Sequence, residues 1–248
     1  MSTKYDNTVS GLSISKIVAL VVSAIILIAV LCSIGNMFEN LGAGQNMVIQ
    51  SPISGKLNTY TTPGVKFQSF GTPEKYNKRG QFWFSAKPDQ GGKEDGSLRV
   101  RFNDGGHATI SGSISWEMPS DNEHFIALHT KYGTFQNVQD QLVRTVIEKA
   151  AYMTGPLMSS KESSAERRNE LLRLIEDQAQ NGIYQTETVQ QQVVDPLTSQ
   201  TKMVSISRIK MDAKGMPARV DNSPFEDYGI RTSNLSINEV KYDEVVEK

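Results

Sequence analysis

The chain has 248 residues, with 26 basic and 27 acidic side chains and a formal net charge of −1; that length suffices for one large domain or two small ones once a membrane segment is set aside. So even a balance lacks the clustered positive charge that phosphate backbones require, which excludes a nucleic-acid reader. The single cysteine, Cys32, excludes an intrachain disulfide, and three histidines, His107, His124 and His129, share no helical face and have no cysteine beside them, so they do not make a zinc site.

Residues 17–34, "IVALVVSAIILIAVLCSI", form an uncharged apolar run between Lys16 and Gly35. As a helix it would reach about 27 Å, close to the ~30 Å of a bilayer's hydrocarbon core. It is read as an uncleaved transmembrane anchor over 17–35, with Ile17, Leu20, Ile26 and Leu31 facing lipid. A cleaved signal peptide has a shorter apolar region, about 7–15 residues, and a small-x-small site. A lipoprotein signal would need a small residue where Leu31 precedes Cys32. Lys4 and Lys16 lie on the leading side, and no Lys or Arg follows the run until Lys56. The positive-inside rule therefore leaves residues 1–16 in the cytoplasm and the bulk of the chain across the membrane, the periplasmic face of an inner membrane in a bacterial host.

After the anchor, "NMVIQSPISGKLNTYTTPGVKFQSFG" predicts short strands punctuated by Pro52, Gly55, Pro63, Gly64 and Gly71. "EKYNKRGQFWFSA" predicts an aromatic strand carrying Phe82, Trp83 and Phe84. Residues 87–97 are a loop by composition, and "LRVRFN" and the turn Asp104-Gly105-Gly106 follow. Then "GHATISGSISWEM" alternates strictly: Ala108, Ile110, Gly112, Ile114, Trp116 and Met118 on one side, Thr109, Ser111, Ser113, Ser115 and Glu117 on the other. The first side is expected to be core, the serine row an exposed or inter-subunit face, and Gly112 a place of close packing.

The pattern changes at Pro119. Ser120, Asp121 and Asn122 are helix-cap types ahead of a short helix with Phe125, Ile126 and Leu128. From Phe135, the residues Val138, Leu142, Val143, Val146, Ile147 and Ala150 recur at three and four, the stripe of a core-facing helix. A further helix follows Gly155-Pro156, with a capping box expected at Ser163 and Glu166, an apolar side of Leu171, Leu172, Leu174, Ile175 and Ala179, and a stop at Asn181-Gly182. Its polar face carries Glu166, Arg167, Arg168, Glu170, Arg173, Glu176 and Asp177, either a solvated face or a subunit contact. Two extended runs, "YQTETVQQQVV" and "KMVSISRIK", predict a hairpin across "DPLTSQT". A loop, a short helical turn, Gly229 and a last strand with Ile230, Leu235 and Ile237 complete the chain.

No catalytic set emerges. His107 can share a strand face with Thr109 and Ser111, but a flat strand lacks the strained turn that exposes a nucleophilic serine, and G-x-S-x-G is absent. G-x-x-x-x-G-K-[ST], a strand-linked G-x-G-x-x-G and H-E-x-x-H are absent too. Asp89 to Asp95 lack the ligand spacing of a calcium loop. No cofactor is implied.

Taken in order, "YTTPGVKFQSFG" (60–71), "NDGGHATISGSISWEMP" (103–119), "QDQLVRTVIEKAA" (139–151), "ERRNELLRLIED" (166–177) and "YGIRTSNLSINEV" (228–240) resemble the SPFH, or Band 7, superfamily of stomatin, prohibitin, flotillin and the bacterial regulators of a membrane AAA protease. The resemblance covers about residues 40–245. It implies an α+β chain: a single N-terminal transmembrane helix, then an SPFH domain with an antiparallel β-rich subdomain (40–119) and an α/β subdomain (120–248). It further implies a non-enzymatic membrane scaffold whose copies form a ring or cage against the bilayer, confining membrane proteins or lipids in a microdomain and modulating a membrane protease. Partners are then the lipid bilayer, other copies of the chain, and enclosed membrane proteins. Glu166, Arg167, Arg168, Glu170 and Arg173 become subunit-contact candidates, since alternating charge suits a heterologous contact that closes by rotation. Two departures stand out: a hairpin-bearing insertion at 184–222, and an end at Lys248 where relatives continue into a coiled coil, so the product is either a ring without walls or the first part of a longer chain. The competing expectation is a monomeric or small-oligomer binding module that displays the 184–222 hairpin.

Overall fold

The protein's structure, a computed structural model, describes residues 14–35, 37–87, 95–194 and 201–243. Most of the expected leader, the middle of the 87–97 loop, the hairpin turn and the charged end lie outside those residues.

Helix α1 (Ile14–Gly35) is followed by seven short strands, β1 (Phe38–Leu41), β2 (Gln45–Gln50), β3 (Leu57–Tyr60), β4 (Gly64–Phe67), β5 (Thr72–Asn77), β6 (Arg79–Phe84) and β7 (Leu98–Arg101), and then by the 11-residue β8 (His107–Glu117). Next come α2 (Asn122–Tyr132), α3 (Phe135–Asn137), α4 (Arg144–Thr154), α5 (Ser160–Ser164) and α6 (Arg168–Asn181). The hairpin strands β9 (Thr186–Val194) and β10 (Thr201–Ile209), then α7 (Pro224–Asp227) and β11 (Arg231–Tyr242), complete the order. The fold is mixed α+β with one N-terminal helix long and apolar enough to cross a membrane.

All strand pairing among the described residues is antiparallel. β8 is the centre of the main sheet, with β11 along one edge and β6 and β7 sharing the other; β3-β2-β5, β1-β4 and β10-β9 form separate small sheets. β8 and β11 come from the two expected subdomains, 40–119 and 120–248, and one buried core runs from Val48 through Trp116 and Ile175 to Ile230.

The core face of β8 is as its alternation predicts: Ala108, Ile110, Ile114 and Trp116 are buried. Trp116 stacks on Phe135 with centroids 4.9 Å apart and planes at 16°. Gly80 makes room for it, since a Cβ there would lie 2.5 Å from the indole. Gly112 is the close approach its position suggests: a Cβ would collide with the Ser236 carbonyl oxygen and come 2.9 Å from the Phe84 ring. The pairing of β8 with β11 is irregular on both sides of this point.

The serine row departs from expectation. Ser111 and Ser113 are buried, 5 % exposed each, whereas Thr109, Ser115 and Glu117 on the same side are half-buried, so the middle of the row is not a wet face. Strands flank β8 on both edges, so short hydroxyls sit below longer neighbours. Ser113 Oγ accepts from Gln81 Nε2 at 3.1 Å and faces Trp83 across the pair, and Ser111 Oγ accepts from the Ala86 amide at 3.4 Å.

Two other local expectations change. "EKYNKRGQFWFSA" is two strands in different sheets, β5 on β2 and β6 on β8, with Lys78 between them tied to Gly44 and Met118 through its backbone. The capping box lies four residues earlier than expected. Ser159 Oγ accepts from the Glu162 amide and Glu162 Oε2 accepts from the Ser159 amide, starting α5; α6 begins only at Arg168. Ala165 leaves helical geometry between them (φ −126°, ψ −81°).

The stripe from Phe135 behaves as predicted, with Val138, Leu142, Val143, Val146, Ile147 and Ala150 buried and Phe135 partly so. One widened π-helical turn, Val138–Val143, sits between α3 and α4.

Candidate interaction faces

Two surfaces gather the residues singled out by sequence. The first is at the membrane-competent end. None of the apolar window of α1 is buried, and Ile17, Leu20, Ile26 and Leu31 are all exposed. At 22 residues the helix is about 33 Å long, enough for a bilayer core of ~30 Å. The chain then enters the β1-β4 ribbon, which the Gln68 amide ties to the Met37 carbonyl at 2.8 Å. Period two divides this ribbon. Leu41 is buried against Met47 and Ile49, and Glu39 is paired with Lys75. Phe38, Val65 and Phe67 point the other way, 49 %, 68 % and 53 % exposed, with the two phenyl rings edge to face at 5.6 Å. Phe70, three residues after Phe67 in the chain, is also exposed, in a turn where it and Ser69 take positive φ, 61° and 48°. Large apolar side chains in water at such density are unusual for a soluble surface. Nothing in the composition of β1 marked it as a strand, so this face was missed from sequence.

The second surface is α6 and the root of the insertion. The five contact candidates do not behave alike. Arg167 is spent within the chain: its Nε and Nη2 donate to the two Glu170 carboxylate oxygens at 2.7 Å each, and Nη1 reaches Glu162 Oε1 at 3.3 Å. The Arg167 guanidinium holds the Glu170 carboxyl below its usual range. For Glu162 the Ser159 amide does most of this, aided by the Ser159 hydroxyl and Arg167, against partial burial. Glu166, Arg168 and Arg173 are exposed and make no ion pair among the described residues.

The C-terminal half of α6 is joinery. Asp177 accepts from the Tyr184 hydroxyl, from Arg219 Nη2 at 2.7 Å and from Asn181 Nδ2 at 2.8 Å. Burial alone would raise the Asp177 carboxyl, but these three donors outweigh it and hold it below the ordinary value. The Arg219 guanidinium also lies 4.9 Å over the Tyr184 ring and donates to the Gly182 carbonyl. Buried Gln178 donates to Thr154 Oγ1 at 2.7 Å and accepts from the Tyr184 amide at 3.1 Å; Gln180 Oε1 accepts from the amide and hydroxyl of Thr232. So α6 holds both ends of the insertion and the start of β11. Asp177 belonged to a recognisable charge run, whereas Arg219, 42 residues away, carried no local signal.

Open grooves flank α6. One of about 640 Å³ lies between the helix and the Met216-Pro217 turn, with Arg173 and Asp177 in its wall; another of about 520 Å³ lies under the base of the hairpin, between Leu174 and Ile206. Among the described residues no group of three or more His, Cys, Asp or Glu is placed to hold a metal ion. His107 Nδ1 is 3.8 Å from Asp243, His124 Nδ1 is 2.7 Å from Asp121, and His129 Nδ1 is 2.6 Å from the Tyr76 hydroxyl, three separate places. No protein-family model matches the chain, and no curated protein sequence matches it.

Proposed function

We propose that the protein is a non-enzymatic, membrane-anchored scaffold of the SPFH kind, whose copies assemble into a ring on the bilayer and confine membrane proteins or lipids, a membrane AAA protease being the kind of protein enclosed. The observation that carries this is the continuity of α1 with the exposed face of Phe38, Val65 and Phe67. A spanning helix followed at once by an aromatic ribbon suits a domain resting on the headgroup layer, where aromatic rings are favoured. In this arrangement Lys4 and Lys16 hold the N-terminus on the cytoplasmic side and the domain lies across the membrane. The exposed Glu166, Arg168 and Arg173, left over once Arg167 and Glu170 are paired, supply the charge for a neighbour-to-neighbour contact.

The test is direct. Full-length protein extracted in detergent or held in nanodiscs should give ring-shaped particles by electron microscopy and a multiple of the 27.5 kDa chain mass by mass photometry. Monodisperse single chains would refute the scaffold.

A further inference from the structure

Hairpin β9-β10 has nine paired positions, Thr186↔Ile209 to Val194↔Thr201, and no third strand beside it among the described residues. Nine residues make about 30 Å of ladder, and most of its described side chains are exposed. An isolated two-stranded ribbon is only marginally stable in water, and long edges normally carry Pro, bulges or several charges as protection. "TETVQQQVV" has none of these but Glu187.

Yet the ribbon is aimed. Its root is held by Tyr184 and Arg219 on Asp177, by Lys210 N to Gln185 O at 2.9 Å, by Ala218 N to Lys210 O at 2.8 Å, and by the Met211↔Pro217 bridge. A built root under an unprotected edge calls for a partner strand.

We propose that this partner is the same hairpin of a second copy, with β10 of one chain adding to β9 of the next. The inference rests on the ring assembly proposed above. Rotation about a ring axis repeats the down-going β10 beside an up-going β9, so every new pair is antiparallel and the contact is heterologous and able to close. Charge selects the same arrangement. Within one hairpin Glu187 and Arg208 are register partners, but Arg208 Nη2 donates to Gln191 Oε1 at 2.9 Å, and Glu187 has no cation partner among the described residues. In equal register, Arg208 of one copy lies level with Glu187 of the next. A two-fold pairing of β10 with itself about Ser205 would instead set Arg208 opposite Lys202, like charge against like.

Full-length chains with Cys32→Ser are prepared in two forms, one with Gln190→Cys and one with a cysteine at Met203, Ser205 or Ser207 in turn, which covers equal register and a two-residue shift either way. Each form is oxidised alone and mixed, in nanodiscs, and read on non-reducing gels, with wild-type mass measured in parallel. Disulfide dimers several-fold more abundant in one of the mixtures than in either form alone support the strand addition. Dimers in a single form alone, or no dimers in any mixture while wild type remains ring-sized, overturn the hairpin contact and leave the ring standing. Wild type that is monomeric overturns both.

Discussion

Gly112→Ala isolates how tightly β8 is enclosed. The new methyl would overlap the Ser236 carbonyl oxygen, a backbone atom in a paired strand, and press on the Phe84 ring at 2.9 Å. A ring can turn aside, but a carbonyl moves only with its strand, so the cost belongs at the upper end of the overpacking range, about 3 kcal/mol. Replacing Gly by Ala in a strand returns about 0.5–1 kcal/mol of backbone entropy. The net loss is therefore about 2 kcal/mol, a fall in Tm of roughly 4–8 °C for a domain of this size. Gly44→Ala is the control, since its Cβ would meet nothing within 4 Å; it should stay within about 0.5 kcal/mol of wild type. The assay is thermal unfolding in detergent followed by Trp83 and Trp116 emission. Gly112→Ala melting at or above the temperature of Gly44→Ala would refute the steric account of this strand.

Trp116→Ala removes the ring stacked between Gly80 and Phe135 and should cost about 3–5 kcal/mol in the same melt, whereas a loss under about 1 kcal/mol would mean that β8 is not the organising strand. His129 is held below its ordinary value of 6.5 by burial against Tyr76; its contribution to stability is present in full above 6.5 and is lost as pH falls from there through the lower folded value. His129→Gln should flatten that part of the stability-against-pH curve, and an unchanged slope would show that another group titrates there. Ile26→Arg, at the middle of α1, adds about 3 kcal/mol to the cost of insertion and should shift the protein from membrane to soluble or degraded fractions; full retention after carbonate extraction would count against a spanning α1.

Patterns that repeat over a few residues were legible in advance. The 17–34 run became α1 with a residue or three added at each end, and the three-and-four spacing from Phe135 buried the residues it marked. Asp121 caps α2, Gly182 ends α6 at φ 104°, and the 184–211 hairpin is present with its strands at 186–194 and 201–209. Each of these depends on the chemistry of neighbours in the chain: a cap needs its own next amides, and an apolar stripe needs only the helical period.

What the tertiary structure decided involves groups far apart in sequence. Alternation assigned the serines of β8 to one face, but whether that face is wet depends on Gln81 and Trp83, some 30 residues earlier, and on β11 more than 100 residues later. Ser163 and Glu166 have the spacing of a capping box as good as that of Ser159 and Glu162, and the choice fell where Asp104 of a distant turn takes the Ser160 amide and hydroxyl. In the same way Arg167 read as one more charge on an open face until Glu162 and Glu170 closed on it. Asp177 likewise became the anchor of the insertion only when Arg219 folded back to it. Period and composition are local and determine which elements form and which side of each is apolar. Burial of a short polar side chain, and the partner a charge selects, are set by whatever the fold brings alongside.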